Sequence, residues 1–367
     1  MDCFHPLASR LIDMLLNWYG SISQGQGYSG SSEKMVVALD RLCDVRIMSF
    51  TKYLEQNLTE EGRKVKSKPF QVGDVGICYG FPNAFSSILN RVKIGFTMFE
   101  TSKIPRSVVG NEWSGITGQP EDACNKLDAL FVPSEHNKML FEREGVTVPI
   151  HVVPLGVDTE HYKFMDRPKR NTFTFFMSGV LTIRKNPGAV LSAFLDLFKD
   201  NPDVRMVFKT HSGTMGHLQM PYKNVSIIDE YTTTEKMLQY FYDADCFVFP
   251  SRGEGFGLVP LEAMSTGLPV IVAKNTGMAD YCDEKYNYFV QKHTMQKAVR
   301  FPTKWGDVGE WYDPDYNELK SLMKYVYEHQ DEARAKGRLG AQWIRDYWTF
   351  DNTARKIIEL VNKVLDK

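Results

Sequence analysis

The sequence predicts an α/β protein of two domains, each a parallel sheet with helices on both faces. Three observations predict it. Short apolar runs alternate with stretches of helical spacing along the whole chain, the pattern of strands joined by helical crossovers. The length, 367 residues, favours two cores over one. The third observation is the stretch Ser251-Arg-Gly-Glu-Gly-Phe-Gly-Leu-Val-Pro-Leu-Glu262. It lies between an apolar run, 246–249, and a second one, 269–273, with a helix over 258–266 in between. Strand, glycine-rich turn, helix, strand is the unit from which such sheets are built.

In chain order, residues 11–19 are apolar and read as the first strand. Residues 20–32 are rich in glycine and serine and read as a loop. Residues 33–42 carry apolar side chains at 35, 36, 39 and 42, which is helical spacing. Residues 45–50 read as a short strand. The loop holds Gly25-Gln-Gly-Tyr-Ser-Gly30, a literal GxGxxG. A dinucleotide site would add an acid at the end of the next strand, where this chain has Met48-Ser-Phe-Thr51. The favoured reading is a loop that lines a cleft and closes over a ligand.

Residues 52–73 are polar, with Arg63, Lys64, Lys66 and Lys68 close together. They read as a solvated face or as a surface for an anionic acceptor or a membrane. Strands follow at 74–79, at 92–99 ending in Glu100-Thr101, at 127–132 and at 150–153. A polar segment runs through Trp113 and Pro120, and a helix over 135–144 starts at Ser134. Ligands of parallel sheets bind beyond the carboxyl ends of the strands, where Glu100, Ser134 and the 20–30 loop fall.

Residues 1–157 are thus the first domain, and 158–171, which lose the apolar rhythm, the linker. The second domain, 172–349, opens with a strand at 173–177, a turn containing Arg184-Lys185 and a helix at 188–198. Strands at 204–209, 225–228 and 246–250 follow, with a helix at 233–242, and 286–290 closes the sheet. Residues 291–315 read as irregular and end in Gly309-Glu-Trp-Tyr-Asp-Pro-Asp315. Three helices complete the chain, 316–329, 331–348 and 351–365. The last carries apolar residues at 354, 357, 358, 361 and 365, a stripe that needs a partner.

Composition narrows the function. Net charge is −1, so no global field points to nucleic acid. The six cysteines are scattered without CxxC spacing, which argues against a zinc or redox motif. Cys78 and Cys246 lie in apolar runs as buried thiols, a usage that suits a reducing, cytoplasmic compartment. No signal-peptide pattern and no transmembrane stretch is visible; peripheral membrane contact stays open.

The second domain holds two features directed at phosphate. One is the turn with glycines at 253, 255 and 257, which leaves amides unpaired at a helix start. The other is Arg184-Lys185, on the same edge of the sheet. An anion cradle with two cations suits a diphosphate. Glu254 and Glu262, with seven residues between them, bracket the cradle, and carboxylates accept hydrogen bonds from hydroxyl pairs of a ribose or hexose.

The run from Pro250 to Val270 resembles the signature of the retaining glycosyltransferases of family 4 (group 1), which have the GT-B fold. There it is the E-x7-E motif. Asp243-Ala-Asp245, Asn275-Thr-Gly277 and Val153-Pro-Leu-Gly-Val-Asp158 extend the resemblance, and Met98-Phe-Glu-Thr101 and Gly309–Asp315 resemble one subgroup. It implies two Rossmann-like domains facing a cleft, the second binding a nucleotide-diphosphate sugar and the first the hydroxyl acceptor. That acceptor is a saccharide, a lipid-linked sugar or a macromolecule. It also implies that the C-terminal helix, 350–367, crosses back to the first domain, and that the domains close around the ligand like a hinge.

Position by position, Glu262 would hold the ribose. Glu254 and the stretch Gly255, Phe256, Gly257 and Leu258 would meet the transferred sugar and the phosphates. Lys185 and Arg184 would neutralise the leaving diphosphate, and Gly27 to Gly30 would close over it. Residues 229–235 would lie near the base. Two departures stand out. The chain has Gly179-Val180 where the family often has Gly-Arg, leaving Arg184 to substitute. It has Glu100-Thr101 where many members place a histidine, so Glu100 would orient a hydroxyl or act as a base, or else serves only as a structural cap.

Charge then dictates a mechanism. Breaking the sugar–diphosphate bond builds negative charge on the leaving oxygen, which fixed amides and Lys185 stabilise. No carboxylate stands out as a covalent nucleophile, and no DxD-like pair is placed for a metal. The expectation is metal-independent, front-face transfer with retention and without a cofactor. The rivals are a GT-B-fold sugar-nucleotide epimerase or phosphorylase, a non-catalytic sugar-nucleotide-binding protein, and a dehydrogenase.

Overall fold

The structure, a computed structural model, describes residues 14–23, 27–50, 58–105, 119–211, 221–299 and 307–366. Apolar runs form two six-stranded sheets whose neighbouring strands are all parallel. The first contains β1 (Leu15–Tyr19), β2 (Asp44–Met48), β3 (Val75–Tyr79), β4 (Val92–Phe96), β5 (Ala129–Val132) and β6 (Ile150–Val152), in the order β2-β1-β3-β4-β5-β6. The second contains β7 (Phe173–Ser178), β8 (Val204–Thr210), β9 (Val225–Asp229), β10 (Cys246–Phe249), β11 (Val270–Ala273) and β12 (Tyr288–Val290), in the order β12-β11-β10-β7-β8-β9. In each sheet the strand order reverses once, between β1 and β3 and between β7 and β10. The chain crosses over to opposite faces of the sheet at that reversal, the place where ligands bind in such folds.

The first helix, α1 (Gly27–Asp40), begins inside the stretch read as loop. Its first turns are glycine and serine, poor helix formers. Tertiary packing overrides them: Gly30, Ser31 and Ser32 are buried, and Trp18 Nε1 of β1 donates to Ser32 Oγ at 2.8 Å. Small residues are what let this helix lie close to the sheet. Gly25 and the start of the first strand, 11–13, lie outside the described residues.

The polar segment after β2 contains a further helix, α2 (Glu60–Lys66), which lacks an apolar stripe to announce it. Thr59 caps it, its Oγ1 accepting from Gly62 N, and Glu33 of α1 accepts in turn from Thr59 N at 2.6 Å. Part of the basic run is paired within the fold. Lys64 meets Glu60 at 2.8 Å, and Lys68 meets Asp40 and Asp44 at 2.5 and 3.0 Å. The short α3 (Pro120–Cys124) follows, and α4 (Glu135–Arg143) starts at Ser134, whose Oγ accepts from Asn137 N. Most of the polar segment that contains Trp113, residues 106–118, lies outside the described residues.

The second sheet is covered by α5 (Pro187–Phe198), α6 (Thr234–Asp243), α7 (Leu258–Ser265), α8 (Tyr316–Glu328) and α9 (Gln330–Tyr347). The stretch read as irregular carries an antiparallel pair, β13 (His293–Lys297) with β14 (Glu310–Pro314). β13 is mostly exposed and β14 carries one exposed residue, so no apolar alternation marks the pair; Trp311 and Pro314 are its buried residues. The pair ties the two domains together. Ser102 N donates to Glu310 O, Glu310 N donates to Ser102 Oγ, and Lys103 pairs with Asp307 at 2.8 Å.

The last helix, α10 (Phe350–Leu365), turns its apolar stripe onto α1, burying Ala354, Ile357, Ile358 and Val361. Thr353 Oγ1 donates to Pro154 O at 2.9 Å, and Arg41 pairs with Asp351 at 3.0 Å. The C-terminal helix therefore returns to the first domain, as expected. Among the described residues no helix is long and apolar enough to cross a membrane.

Candidate functional site

Because β7 and β10 are neighbours, the turns that follow them meet at the reversal of the second sheet. After β7 the chain makes a short 3-10 turn, Ile183–Lys185, which aims Arg184 and Lys185 at the turn after β10. Lys185 reaches across Gly179, whose φ of 131° suits only glycine and where a Cβ would meet Lys185 Nζ at 3.2 Å. Its ammonium also lies 4.5 Å from the centre of the Phe249 ring.

Glu254 is the centre of a charged cluster. Its Oε1 meets Arg184 Nη1 at 2.7 Å and Lys185 Nζ at 3.5 Å, and accepts from Ser251 Oγ at 2.8 Å. Arg184 Nη2 lies 3.7 Å from Glu100 of the first domain. Burial alone would push Glu254 up. The charges of Arg184 and Lys185, with hydrogen bonds from Arg184 and Ser251, outweigh it and hold the carboxyl at about 2. Burial lowers Lys185, and Arg184 beside it adds to the effect, against the pull of Glu254. Arg184 is also penalised by burial, yet Glu254 and Glu100 raise it above its ordinary value.

The three glycines have distinct tasks. A Cβ on Gly253 would strike the carbonyl oxygen of Glu100, and one on Gly255 would come 2.7 Å from Met98. These two make room for the first domain. Gly257 takes φ 92° and turns the chain into α7, whose first-turn amides have no partner within the helix. Asn137 binds the two domains here: its Nδ2 donates to Gly255 O at 2.9 Å while its Oδ1 accepts from Phe99 N at 2.6 Å. Ser134 Oγ donates to the same carbonyl at 3.0 Å.

These elements enclose a cleft of about 410 Å³. Of the residues singled out in the sequence, it gathers Gly27, Glu100, Arg184, Lys185, Glu254, Gly255, Phe256, Gly257 and Leu258. Two do not reach its wall. Gly30 is buried inside α1. Glu262 sits one turn below Leu258 on α7, and its Oε2 has no hydrogen-bond partner. Burial pushes its carboxyl up to about 7; Tyr162 bonds to it and pulls it partly back, and the charge of Asp158 adds to the rise. Glu100 lies past the end of β4, which stops at Phe96 rather than at 99, so its backbone is free to bend toward Gly253.

Sequence reasoning missed the apolar lining. Tyr28, Phe81, Met98 and Leu155 come from the first domain, and Phe249, Val180 and Val259 from the second, with the polar ring of His211 beside them. The one signal for Tyr28 was its place inside the GxGxxG; the signal for Phe81 was its place just beyond the carboxyl end of a strand.

Residues 158–301 match the family model described as glycosyl transferases group 1. Among curated relatives, the chain is 28% identical over 211 residues to a probable sucrose-phosphate synthase of Thermosipho melanesiensis, covering 53% of this chain and 48% of that one. The chain spans about half the length of the curated relatives it matches. Among solved structures, sucrose-phosphate synthase from Thermosynechococcus elongatus aligns with a TM-score of 0.70 at 12% identity, over 96% of this chain and 99% of that one. Anabaena HepE in complex with UDP and glucose aligns with a TM-score of 0.65 at 13% identity, over 95% and 100%. The two-sheet architecture is the GT-B fold.

Proposed function

We propose that this chain, whose residues 158–301 match the group 1 glycosyl transferases within a GT-B fold, moves a sugar from a nucleotide-diphosphate sugar to a hydroxyl acceptor. One observation carries the reading: Arg184, Lys185, Glu254 and the unpaired first turn of α7 line one cleft, with Glu100 of the other domain opposite. The complex of Anabaena HepE with UDP and glucose supports the same class of donor.

The diphosphate lies on the first turn of α7, between Arg184 and Lys185. Without it, Glu254 neutralises those cations. A diphosphate that takes them over frees Glu254 to accept from hydroxyls of the transferred sugar. Glu262, partly exposed one turn below the cleft-lining Leu258 and with an unpartnered Oε2, takes the ribose hydroxyls at the margin of the cleft. Gly27 closes the phosphate end from the first domain, and residues 229–235 lie toward the base.

The bond between the anomeric carbon and the diphosphate oxygen breaks. The acceptor oxygen bonds to the same face of that carbon, and its proton passes to the departing phosphate oxygen. Configuration is retained. Charge on the leaving group is met by Lys185, Arg184 and the α7 amides, so no metal and no further cofactor is required. Glu100 orients the acceptor hydroxyl.

A thermal-shift panel of UDP-, GDP- and ADP-sugars, followed by product analysis with and without acceptor, tests this. Expected are stabilisation by one nucleotide class, acceptor-dependent release of nucleoside diphosphate in EDTA, and a product with the donor's anomeric configuration by NMR. An inverted product or a strict metal requirement would sink the mechanism. An epimerised donor, or binding without turnover, would sink the transfer itself.

A further inference from the structure

We infer that the acceptor is an uncharged pyranoside whose ring face lies against an aromatic wall in the first domain; this rests on the transfer reaction proposed above. The wall stands where the strand order of the first sheet reverses. Tyr28 is in the first turn of α1, which follows β1, and Phe81 lies just past the end of β3, the neighbour of β1. Both line the cleft, on the wall facing Lys185 and Glu254. Their ring centres are 5.6 Å apart with planes at 53°.

The rings are held in place. The Tyr28 hydroxyl accepts from Met98 N at 3.1 Å and donates to Met98 O at 3.2 Å. Both of its bonding directions are used by the protein, so what Tyr28 offers a ligand is its ring. Behind the wall Tyr28 packs on Tyr79 at 4.9 Å and Phe81 on Phe99 at 5.8 Å, and those two rings are buried. Such a wall is rigid before any ligand arrives, so binding to it costs little ordering.

The chemistry of the wall selects its occupant. The face of an aromatic ring is electron-rich and meets apolar C–H surfaces by dispersion; it repels a phosphate. A pyranose presents C–H groups on its ring faces and hydroxyls at its rim. Among the described first-domain residues that line the cleft, one carries a charge, Glu100, an acid engaged with Arg184. The two cations of the cleft are on the opposite wall, where the donor's diphosphate takes them. A phosphorylated acceptor would meet rings and a carboxylate here, while a neutral sugar stacks on the rings and turns one hydroxyl to Glu100.

Steady-state kinetics on the full chain test this. Donors are UDP-, GDP- and ADP-glucose and GDP-mannose. Acceptors are methyl pyranosides, their 6-phosphates and dioctanoylglycerol. The wild type should prefer a methyl pyranoside over the matching 6-phosphate and over the lipid by about tenfold in kcat/KM. Phe81→Ala should raise the acceptor KM about tenfold and move the donor KM far less, and Phe81→Trp should restore the acceptor KM. Preference for the phosphates or the lipid overturns this inference alone. So does a Phe81→Ala variant whose donor KM rises as much as its acceptor KM, or one that Phe81→Trp fails to rescue. A wild type that binds no nucleotide sugar and transfers nothing overturns the proposed function, and this inference with it.

Discussion

Two glutamates with seven residues between them end in opposite electrostatic states. Glu254 faces two cations and is held at about 2, while Glu262 is enclosed beside Tyr162 and Asp158 and rises to about 7. Stability should follow with opposite signs. For Glu262 the folded value exceeds the unfolded one, so its contribution is full below about pH 4.5 and is lost as pH rises through 7. Glu262→Gln should therefore flatten the fall in melting temperature between pH 5 and 8; parallel curves for variant and wild type would contradict the raised carboxyl. Glu254 works the other way, stabilising above about pH 4.5 and losing that stabilisation as pH falls toward 2. Lys185→Ala should cost turnover by about 2.7–4 kcal/mol, as the loss of an oxyanion donor does. Nucleoside diphosphate release at saturating donor measures it, and full activity in that variant removes Lys185 from the reaction. The residues of this cluster were legible in the sequence as types at a spacing. Their states were not, because a carboxyl's affinity for protons depends on what the fold packs around it.

At the scale of elements, glycines separate backbone need from packing need. Gly309 has φ 78° and opens β14 against Ser102 and Lys103. Gly309→Val should cost about 1–2 kcal/mol for the left-handed backbone alone, and more for the collision with Ser102. Gly188 in α5 has open space around it, so Gly188→Ala should stabilise by about 0.4–1 kcal/mol. Urea midpoints of the two variants should move in opposite directions; a Gly309→Val midpoint that does not fall would refute the reading of Gly309, and a Gly188→Ala midpoint that falls would refute that of Gly188. The paired strands β13 and β14 hold Arg252 of the glycine turn through Asp313, at 2.6 Å, and Ser102 of the Glu100 loop through Glu310. Both ends of that tie lie beside catalytic candidates. Strands and helices with an apolar stripe were legible to within a few residues. The first two turns of α1, the helix α2 and this strand pair were not, since their stability comes from contacts distant in sequence.

At the scale of the molecule, two further contacts among the described residues join the domains, beside the tie through β13 and β14. One is the cleft contact of Ser134 and Asn137 with Gly255. The other is the return of α10 to α1, reinforced by the bridge between Val157 and Thr349. Ile357 on α10 is 0% exposed. Ile357→Ala should destabilise by about 2–5 kcal/mol. If α10 joins the domains into one cooperative unit, a single urea transition should shift as a whole; a change confined to one of two separate transitions would show that the domains unfold independently.

The sequence by itself determined the layering, two parallel α/β sheets, and the glycine turn and adjacent cations that line the second-domain half of the cleft. Both are written in local patterns: apolar period, a glycine turn before a helix, adjacent cations after a strand. Tertiary structure alone decided how the halves meet. It assigned Gly253 and Gly255 to the domain contact, joined Arg184 to both Glu254 and Glu100, set Glu262 behind the wall, and brought Tyr28 and Phe81 together across the reversal of the first sheet. Those relations join residues that are tens to more than a hundred positions apart. No local pattern encodes them, because they follow from the order of strands in the sheets and from which surfaces are buried when the sheets face each other.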